Sequence, residues 1–365
     1  MIKHSDHFHG SDLETIEKVY GIKKEDIVSF SANVNPLGIS PKLKETLAER
    51  IDAIMSYPDR EYTSLRKKIA EYVHTDFENI IVGNGSTELI SLFIQLKHPK
   101  KALIVGPTYS EYEREVALGG GIIRYFRLEE ENNFVLDIRA LESELTSDVD
   151  LLAICNPNNP TSSAITRSDM RKILDICKQK GIFVMVDETY VEFTENVAEI
   201  TSVPLTESYN NIIILRGISK FFASPGLRLG YAICGNADLL KEINQRKNPW
   251  TINSLAAIAG EIMFMDEDYI KCTRDLIATE RDRICNILNS CKNVHYYPPT
   301  ANFILIKILK EEVTSMDLFE AAIRKGLMIR DCSTFPFLNN KFIRFCFMKP
   351  EQNDALLEVL LEKLR

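Results

Sequence analysis

The chain has 365 residues and carries 44 Lys and Arg against 52 Asp and Glu, a formal charge of −8, so no overall positive field favours a nucleic acid or an anionic bilayer as partner. Hydrophobic residues make up 45% and charged residues 26%, which excludes disorder as the main state and leaves ample material for a core. At this length two domains are expected. No apolar run reaches the ~18 residues of a spanning helix, and the opening MIKHSDHFHGSDLE lacks the apolar core of a secretory signal. A cytoplasmic protein is expected.

From about residue 80 the chain alternates short β-branched runs with longer amphipathic stretches. The runs cover 80–82, 102–105, 122–126, 151–155, 182–186, 212–215 and 230–234. Continuous apolar strands separated by helical segments such as 168–180 predict a seven-stranded, mainly parallel sheet buried on both faces and flanked by helices, an α/β fold. After Trp250 the pattern changes to helical periodicity over 254–290, then the strand candidates ANFILIKI, GLMIRD and FIRFCF, then a helix from Asn353. This predicts a smaller C-terminal α+β domain. The expected division is an N-terminal segment 1–40, joining the smaller domain or crossing to a partner, a large domain 41–255 and a small domain 256–365. The eight cysteines, Cys155, Cys177, Cys234, Cys272, Cys285, Cys291, Cys332 and Cys346, form no CxxC pair and read as reduced core thiols.

Ligands of open α/β sheets bind beyond the carboxyl ends of the strands, and three such ends carry chemistry. The run IFVMV leads into Asp187; a carboxylate leaving a buried strand either meets a cation, such as a protonated ring nitrogen, or caps the next helix. The run IIIL leads into RGISKFFASPGLRLG, with Lys220 among small and aromatic residues and Arg228 beyond it. A desolvated lysine beside a second cation is a nucleophile for aldehydes; the alternative is a surface lysine. Gly83, Asn84, Gly85, Ser86 and Thr87 open an apolar-periodic helix, either as an anion cradle of N–H groups and hydroxyls or as a plain helix cap. This stretch is neither a Walker loop nor GxGxxG, so a nucleotide is not indicated. An aldehyde for Lys220, a phosphate for 85–87 and Arg228, and a protonatable ring for Asp187 together specify pyridoxal 5′-phosphate.

The motifs SANVNPLG, YPD, GNGSTE, NPNNPT, DETYVEF and SKFFASPGLRLGY resemble those of fold-type I pyridoxal-phosphate enzymes of the aspartate aminotransferase superfamily. The resemblance runs from HGS near residue 9 to the last helix. It is strongest to the branch holding L-threonine-O-3-phosphate decarboxylase and histidinol-phosphate aminotransferase. It implies that Lys220 carries the cofactor and moves the proton at the substrate α-carbon, and that Asp187 keeps the pyridine nitrogen protonated. Tyr190 and Asn159 would bond its phenolic oxygen, and Tyr109 would stack on its face. Gly85, Ser86, Thr87, Ser219 and Arg228 would hold its phosphate, joined by Tyr57 from the neighbouring subunit of a homodimer. For the substrate the resemblance offers Arg344 as a carboxylate fork, with Arg330, His9, Gly10, Asn33 and Asn159 contacting a small phosphorylated amino acid. The N-terminal segment would act as a lid. The spacing of His4, His7 and His9 offers only a weak metal-site signal; His9 is read with that lid instead, and no metal is expected.

Reaction type in such enzymes follows from which α-carbon bond the bound substrate presents. The expected reaction is decarboxylation of O-phospho-L-threonine to (R)-1-aminopropan-2-yl phosphate, a step serving cobalamin and other corrinoids. The alternative is transamination with 2-oxoglutarate and glutamate, as for histidinol phosphate. A catalytically silent cofactor-binding protein is a third reading, opposed by Lys220 and Asp187. The chain departs from the family pattern at Ser11 and Ser162, where glycine is usual, and at Asp331, which resembles the aminotransferase.

Overall fold

The computed structural model describes residues 12–365. Its strands, in chain order, are β1 (Val28–Ser29), β2 (Ile80–Gly83), β3 (Lys101–Gly106), β4 (Ile122–Arg127), β5 (Leu151–Cys155), β6 (Phe183–Asp187), β7 (Ile212–Gly217), β8 (Gly230–Ile233), β9 (Val294–Tyr296), β10 (Phe303–Ile308), β11 (Leu327–Met328), β12 (Arg330–Asp331) and β13 (Phe342–Cys346). Seven of them form one sheet in the order β2-β8-β7-β6-β5-β3-β4. The five strands from β7 to β4 run parallel, and β8 runs against both of its neighbours. All seven apolar runs therefore become strands of one mostly parallel sheet.

The reason lies in the alternation of side chains across a strand. Val184 and Val186 of β6, with Ile212 and Ile214 of β7, join one buried cluster. Phe183 and Met185, with Ile213 and Leu215, join another on the opposite face. Helices cover both faces. One of them, Arg167–Lys180, is bounded by Thr166, whose side chain accepts from Asp169 N, and by Gly181 at φ 72°, a left-handed stop that glycine adopts without a Cβ penalty.

The C-terminal part carries a second, antiparallel sheet in the order β12-β13-β10-β9. Its details depart from the sequence expectation. The helical stretch 254–290 is two helices, Ser254–Met263 and Glu267–Asn289, because Asp266 accepts from Tyr269 N and starts a new helix. Residue 255 lies in the first turn of the helix Ser254–Met263. GLMIRD is split: β11 pairs with β1, while β12 pairs with β13. The final helix begins at Pro350, and β9 is an added strand. Five cysteines are buried, but Cys272 is exposed and Cys285 and Cys291 are half-buried; all eight are free thiols.

The N-terminal stretch binds the two parts together. Asn35 Nδ2 donates to the Phe221 carbonyl at 2.8 Å, to Tyr269 OH at 2.9 Å and to Thr273 Oγ1 at 2.7 Å. No helix among the described residues is long and apolar enough to cross a membrane.

Ile214 is fully buried between β6 and β8, so Ile214→Ala leaves a cavity in the sheet's core. We expect a loss of roughly 2–5 kcal/mol, read from the urea unfolding midpoint; an unchanged midpoint contradicts this packing.

Candidate active site

The carboxyl ends of β2, β3, β5, β6 and β7, with the opening residue of antiparallel β8, meet along one edge of the large sheet. Each end delivers one element of the cleft.

Beyond β2 the helix Gly85–Lys97 begins at Gly85, with φ +79°, and its cap residue Asn84 makes no side-chain cap. Ser86 and Thr87 therefore lie in the first turn and do not cap it. The first N–H groups of a helix have no partner within it, and the helix dipole there favours an anion. At φ +79° any residue with a Cβ is strained at position 85, and that Cβ would also displace the Arg228 guanidinium, whereas a Cβ on Gly230 would strike the backbone at Gly85 and Ser86. Two glycines thus bring β8 and Arg228 against the helix start. Arg228 itself is exposed, and Ser219 is half-buried.

Asp187 ends β6 and is almost fully buried. Its Oδ1 accepts from Thr189 N at 2.9 Å and Thr189 Oγ1 at 2.6 Å, and its Oδ2 accepts from Tyr112 OH at 2.7 Å. It caps no helix; the next one, Val191–Phe193, has Tyr190 at its cap position. Burial pushes its carboxyl above the usual range, although these hydrogen bonds oppose the shift. Three of roughly four acceptor sites on a carboxylate are filled, and a cationic donor at the fourth would favour the ionised form.

Lys220, after β7, is half-buried, and its Nζ donates to the Ala32 carbonyl at 2.6 Å. Burial, with Arg344 and Arg228 nearby, lowers its pKa to about 8. At neutral pH its unprotonated fraction far exceeds that of an ordinary lysine. Tyr190 is buried, accepts from Asn33 Nδ2 at 3.3 Å and packs edge-on to Phe303 with ring centres 4.9 Å apart. Burial raises its hydroxyl pKa above the ordinary value. Tyr109 is half-buried, edge-on to Tyr112 at 5.7 Å, and burial pushes its pKa up to about 12.

Arg344 of β13 reaches the same cleft from the small sheet. It is 4% exposed and donates to Asn159 Oδ1 and, at 2.6 Å, to the Ser31 carbonyl, while its Nε has no partner. These partners are neutral, and a buried cation so held is costly unless an anion joins it. Arg330 lies directly across the ladder from Arg344, donates to Thr334 Oγ1 at 3.0 Å and covers the Phe335 ring. Burial, and the neighbouring Arg344, disfavour its charge. Like charges opposed on adjacent strands destabilise a sheet, so the pair marks a place for anions. Asn33, at φ 55°, and Asn302 are buried, and each has an Oδ1 without a partner.

The structure thus gathers Lys220, Asp187, Tyr190, Asn33, Asn159, Arg330 and Arg344 around the cleft, with Gly85, Ser86, Thr87 and Arg228 together at its end beyond β2. Tyr57 is elsewhere: it is 80% exposed and stacks near Trp250, ring centres 4.8 Å apart. His9 and Gly10 lie outside the described residues, as do His4 and His7. Tyr112, Asn302 and the carbonyls of Ser31 and Ala32 escaped sequence reasoning. Tyr112 lies in the same GPTYSEY stretch as Tyr109 but on the helix that follows it; backbone carbonyls carry no signal in a sequence. Among the described residues no acidic, histidine or cysteine cluster suits a metal ion. The glycine-bordered cradle, buried Asp187 and depressed Lys220 fit pyridoxal 5′-phosphate.

The pattern of the aminotransferase class I and II family matches residues 25–360. The chain is 33% identical to the threonine-phosphate decarboxylase of Salmonella typhimurium, over 96% of this chain and 95% of that one. It is 28% identical to the histidinol-phosphate aminotransferase of Methanocaldococcus jannaschii, over 97% and 93%. The crystal structure of the histidinol-phosphate aminotransferase from Clostridium acetobutylicum superposes with a TM-score of 0.85 at 31% identity, covering 92% of this chain and 98% of that one.

The depressed Lys220 pKa links folding to pH. Between about 8 and the ordinary value of 10.5 the unfolded chain binds more protons than the folded one, so this group's contribution to stability rises with pH across that window and its penalty is complete below it. Without cofactor, Lys220→Met is expected to be more stable than the parent at pH 7, with the advantage shrinking towards pH 10. Urea unfolding at both pH values checks this; an advantage that grows with pH contradicts it.

Proposed function

The chain belongs to the class I and II aminotransferase family, and from that premise we propose that it is a pyridoxal 5′-phosphate enzyme that decarboxylates O-phospho-L-threonine to (R)-1-aminopropan-2-yl phosphate. One observation carries the choice: Arg330 and Arg344 oppose each other in the small sheet, and among the described residues the hydrogen-bond partners of buried Arg344 are all neutral. O-Phosphothreonine brings a carboxylate and a phosphate at once, one anion for each guanidinium. The 33% identical decarboxylase relative points the same way.

When bound, the cofactor supplies an aldehyde for the lysine and a protonated ring that accepts the electron pair of the bond broken at the α-carbon. The residues of this chain do the rest. Lys220 Nζ, with a pKa of about 8, is the amine that holds the cofactor and the donor that returns a proton to the α-carbon. Asp187, held by hydrogen bonds from Tyr112 and Thr189, would pair with the ring nitrogen. Tyr190 and Asn159 would bond the phenolic oxygen. Gly85, Ser86, Thr87, Ser219 and Arg228 would hold the cofactor phosphate, and Tyr109 would cover the ring.

Arg344 grips the substrate carboxylate as a fork, a geometry that guanidinium matches and ammonium does not. Arg330 takes the substrate phosphate, assisted by Asn33 and the N-terminal His9 and Gly10. With both ends fixed, one α-carbon bond is presented for cleavage, and binding geometry selects the reaction. The active unit is a homodimer. Ile54, Met55 and Tyr57 are 63%, 83% and 80% exposed, and with Trp250 they form the kind of apolar patch that a second copy covers. The partner subunit's Tyr57 would then reach the cofactor phosphate.

The structural neighbour at 31% identity favours a second reading, transamination. With O-phosphothreonine we expect carbon dioxide release without any oxo acid; strict dependence on 2-oxoglutarate, with no carbon dioxide, overturns the decarboxylase. Arg330→Ala should raise KM for O-phosphothreonine by roughly 30-fold or more while leaving unphosphorylated threonine nearly unaffected. Equal losses for both substrates remove the phosphate role.

A further inference from the structure

The sequence singles out Ser162 as a departure from glycine, and none of the site chemistry above uses it. Its backbone is left-handed, with φ 62°, and its side chain is fully buried. A residue with a Cβ is strained there while glycine is not, so the serine needs a compensating contact. It has one: Oγ accepts the backbone N–H of Thr300 at 3.1 Å and of Ala301 at 2.9 Å, and the Ser162 carbonyl also accepts Thr300 N at 3.1 Å.

These bonds close a ring of contacts between the two sheets. On one side, the loop holding Ser162 is anchored to the large sheet, since Asn156 N donates to the Asp187 carbonyl at 2.8 Å and Asn158 Nδ2 to the Pro107 carbonyl at 2.8 Å. The same loop presents Asn159, whose Oδ1 accepts from Arg344. On the other side, residues 300 and 301 lead directly into β10, where Phe303 lies under the Arg344 guanidinium at 5.3 Å and Leu305 pairs with Arg344 across the ladder. The position of residues 300–303 relative to the loop therefore sets the separation of Asn159 and Arg344.

We propose that Ser162 is a positioning residue, whose hydroxyl clamps the foot of β10 to the 156–163 loop and so fixes where Arg344 stands in the cleft. The clamp trades local backbone strain for a set distance between the two sheets. A glycine at 162 relieves the strain and releases the distance. The consequence for the enzyme rests on the proposed role of Arg344 as the grip on the substrate carboxylate.

The test uses the holoenzyme with O-phosphothreonine. Ser162→Gly is expected to keep the parent's cofactor absorption band and kcat within about twofold, to raise KM about tenfold, and to speed amide hydrogen exchange at Thr300 and Ala301 about tenfold or more. Ser162→Ala, which keeps the Cβ and loses the hydroxyl, should show the same KM rise at a lower Tm. A merely structural serine lowers Tm without moving KM. If Ser162→Gly matches the parent in both KM and exchange while Arg344→Lys is impaired, the clamp is overturned and the carboxylate reading survives. If Arg344→Lys leaves KM unchanged, the carboxylate reading falls and the proposed role of Ser162 falls with it.

Discussion

Crowding of positive charge around a single cleft is the constraint from which the rest of this structure follows. Lys220 lies near Arg344 and Arg228, and Arg344 faces Arg330 across one ladder. Among the described residues no carboxylate pairs with Arg344, which donates to the Asn159 amide and the Ser31 carbonyl and lies over the Phe303 ring. Burial first, and then these neighbouring charges, depress the lysine and leave it partly neutral, and the same charges make the cleft receptive to anions. The Ser31 and Ala32 carbonyls ease the repulsion without cancelling it, since a carbonyl dipole solvates a cation but carries no net charge.

The sheet makes such a cleft affordable by placing its own charges back to back. Asp187 ends β6 facing the cleft, and the next residue, Glu188, points away from it. There Glu188 Oε2 accepts from Arg216 Nε at 3.1 Å and Nη2 at 2.8 Å, and Glu188 also accepts from Thr201 Oγ1 and Ser202 N. Glu192, 3.7 Å from the same guanidinium, is pushed up to about 7 chiefly by burial. One arginine thus holds down the far side of the segment 187–192 whose near side presents Asp187 and Tyr190. The parallel strands fix the positions of these turns to the accuracy of a packed core, which loops alone would not achieve.

Joining two sheets around one cleft is a separate problem. Glu130, beyond β4, accepts from Lys307 of β10 at 2.5 Å and from Tyr297 OH at 2.9 Å. Arg281 donates to the Phe193 and Ala301 carbonyls at 2.9 and 3.1 Å. The contacts of Glu130, Asn35 and Ser162 connect residues more than a hundred positions apart, and Arg281 reaches Phe193 across 88 positions. Each is a polar group whose partner lies in another part of the chain. That is why Ser162 reads in sequence only as an odd residue in a glycine position, and why Asn302 does not register at all.

The sequence by itself determined the seven strands, the order of strand and helix, the lysine, the aspartate and the glycine-opened helix. Those features are written in local periodicity, in β-branched runs and in residues flanking strand ends, which depend on neighbours along the chain. It misjudged the break at Asp266 and the split of GLMIRD, where a single side chain or a choice of partner strand overrides periodicity. Only the tertiary structure decided that the carbonyls of Ser31 and Ala32 hold Arg344 and Lys220, that Tyr112 bonds Asp187, and that Arg330 faces Arg344 in register. Those contacts are set by the registry of separate elements, and register is a property of packing, which no local pattern of residues encodes.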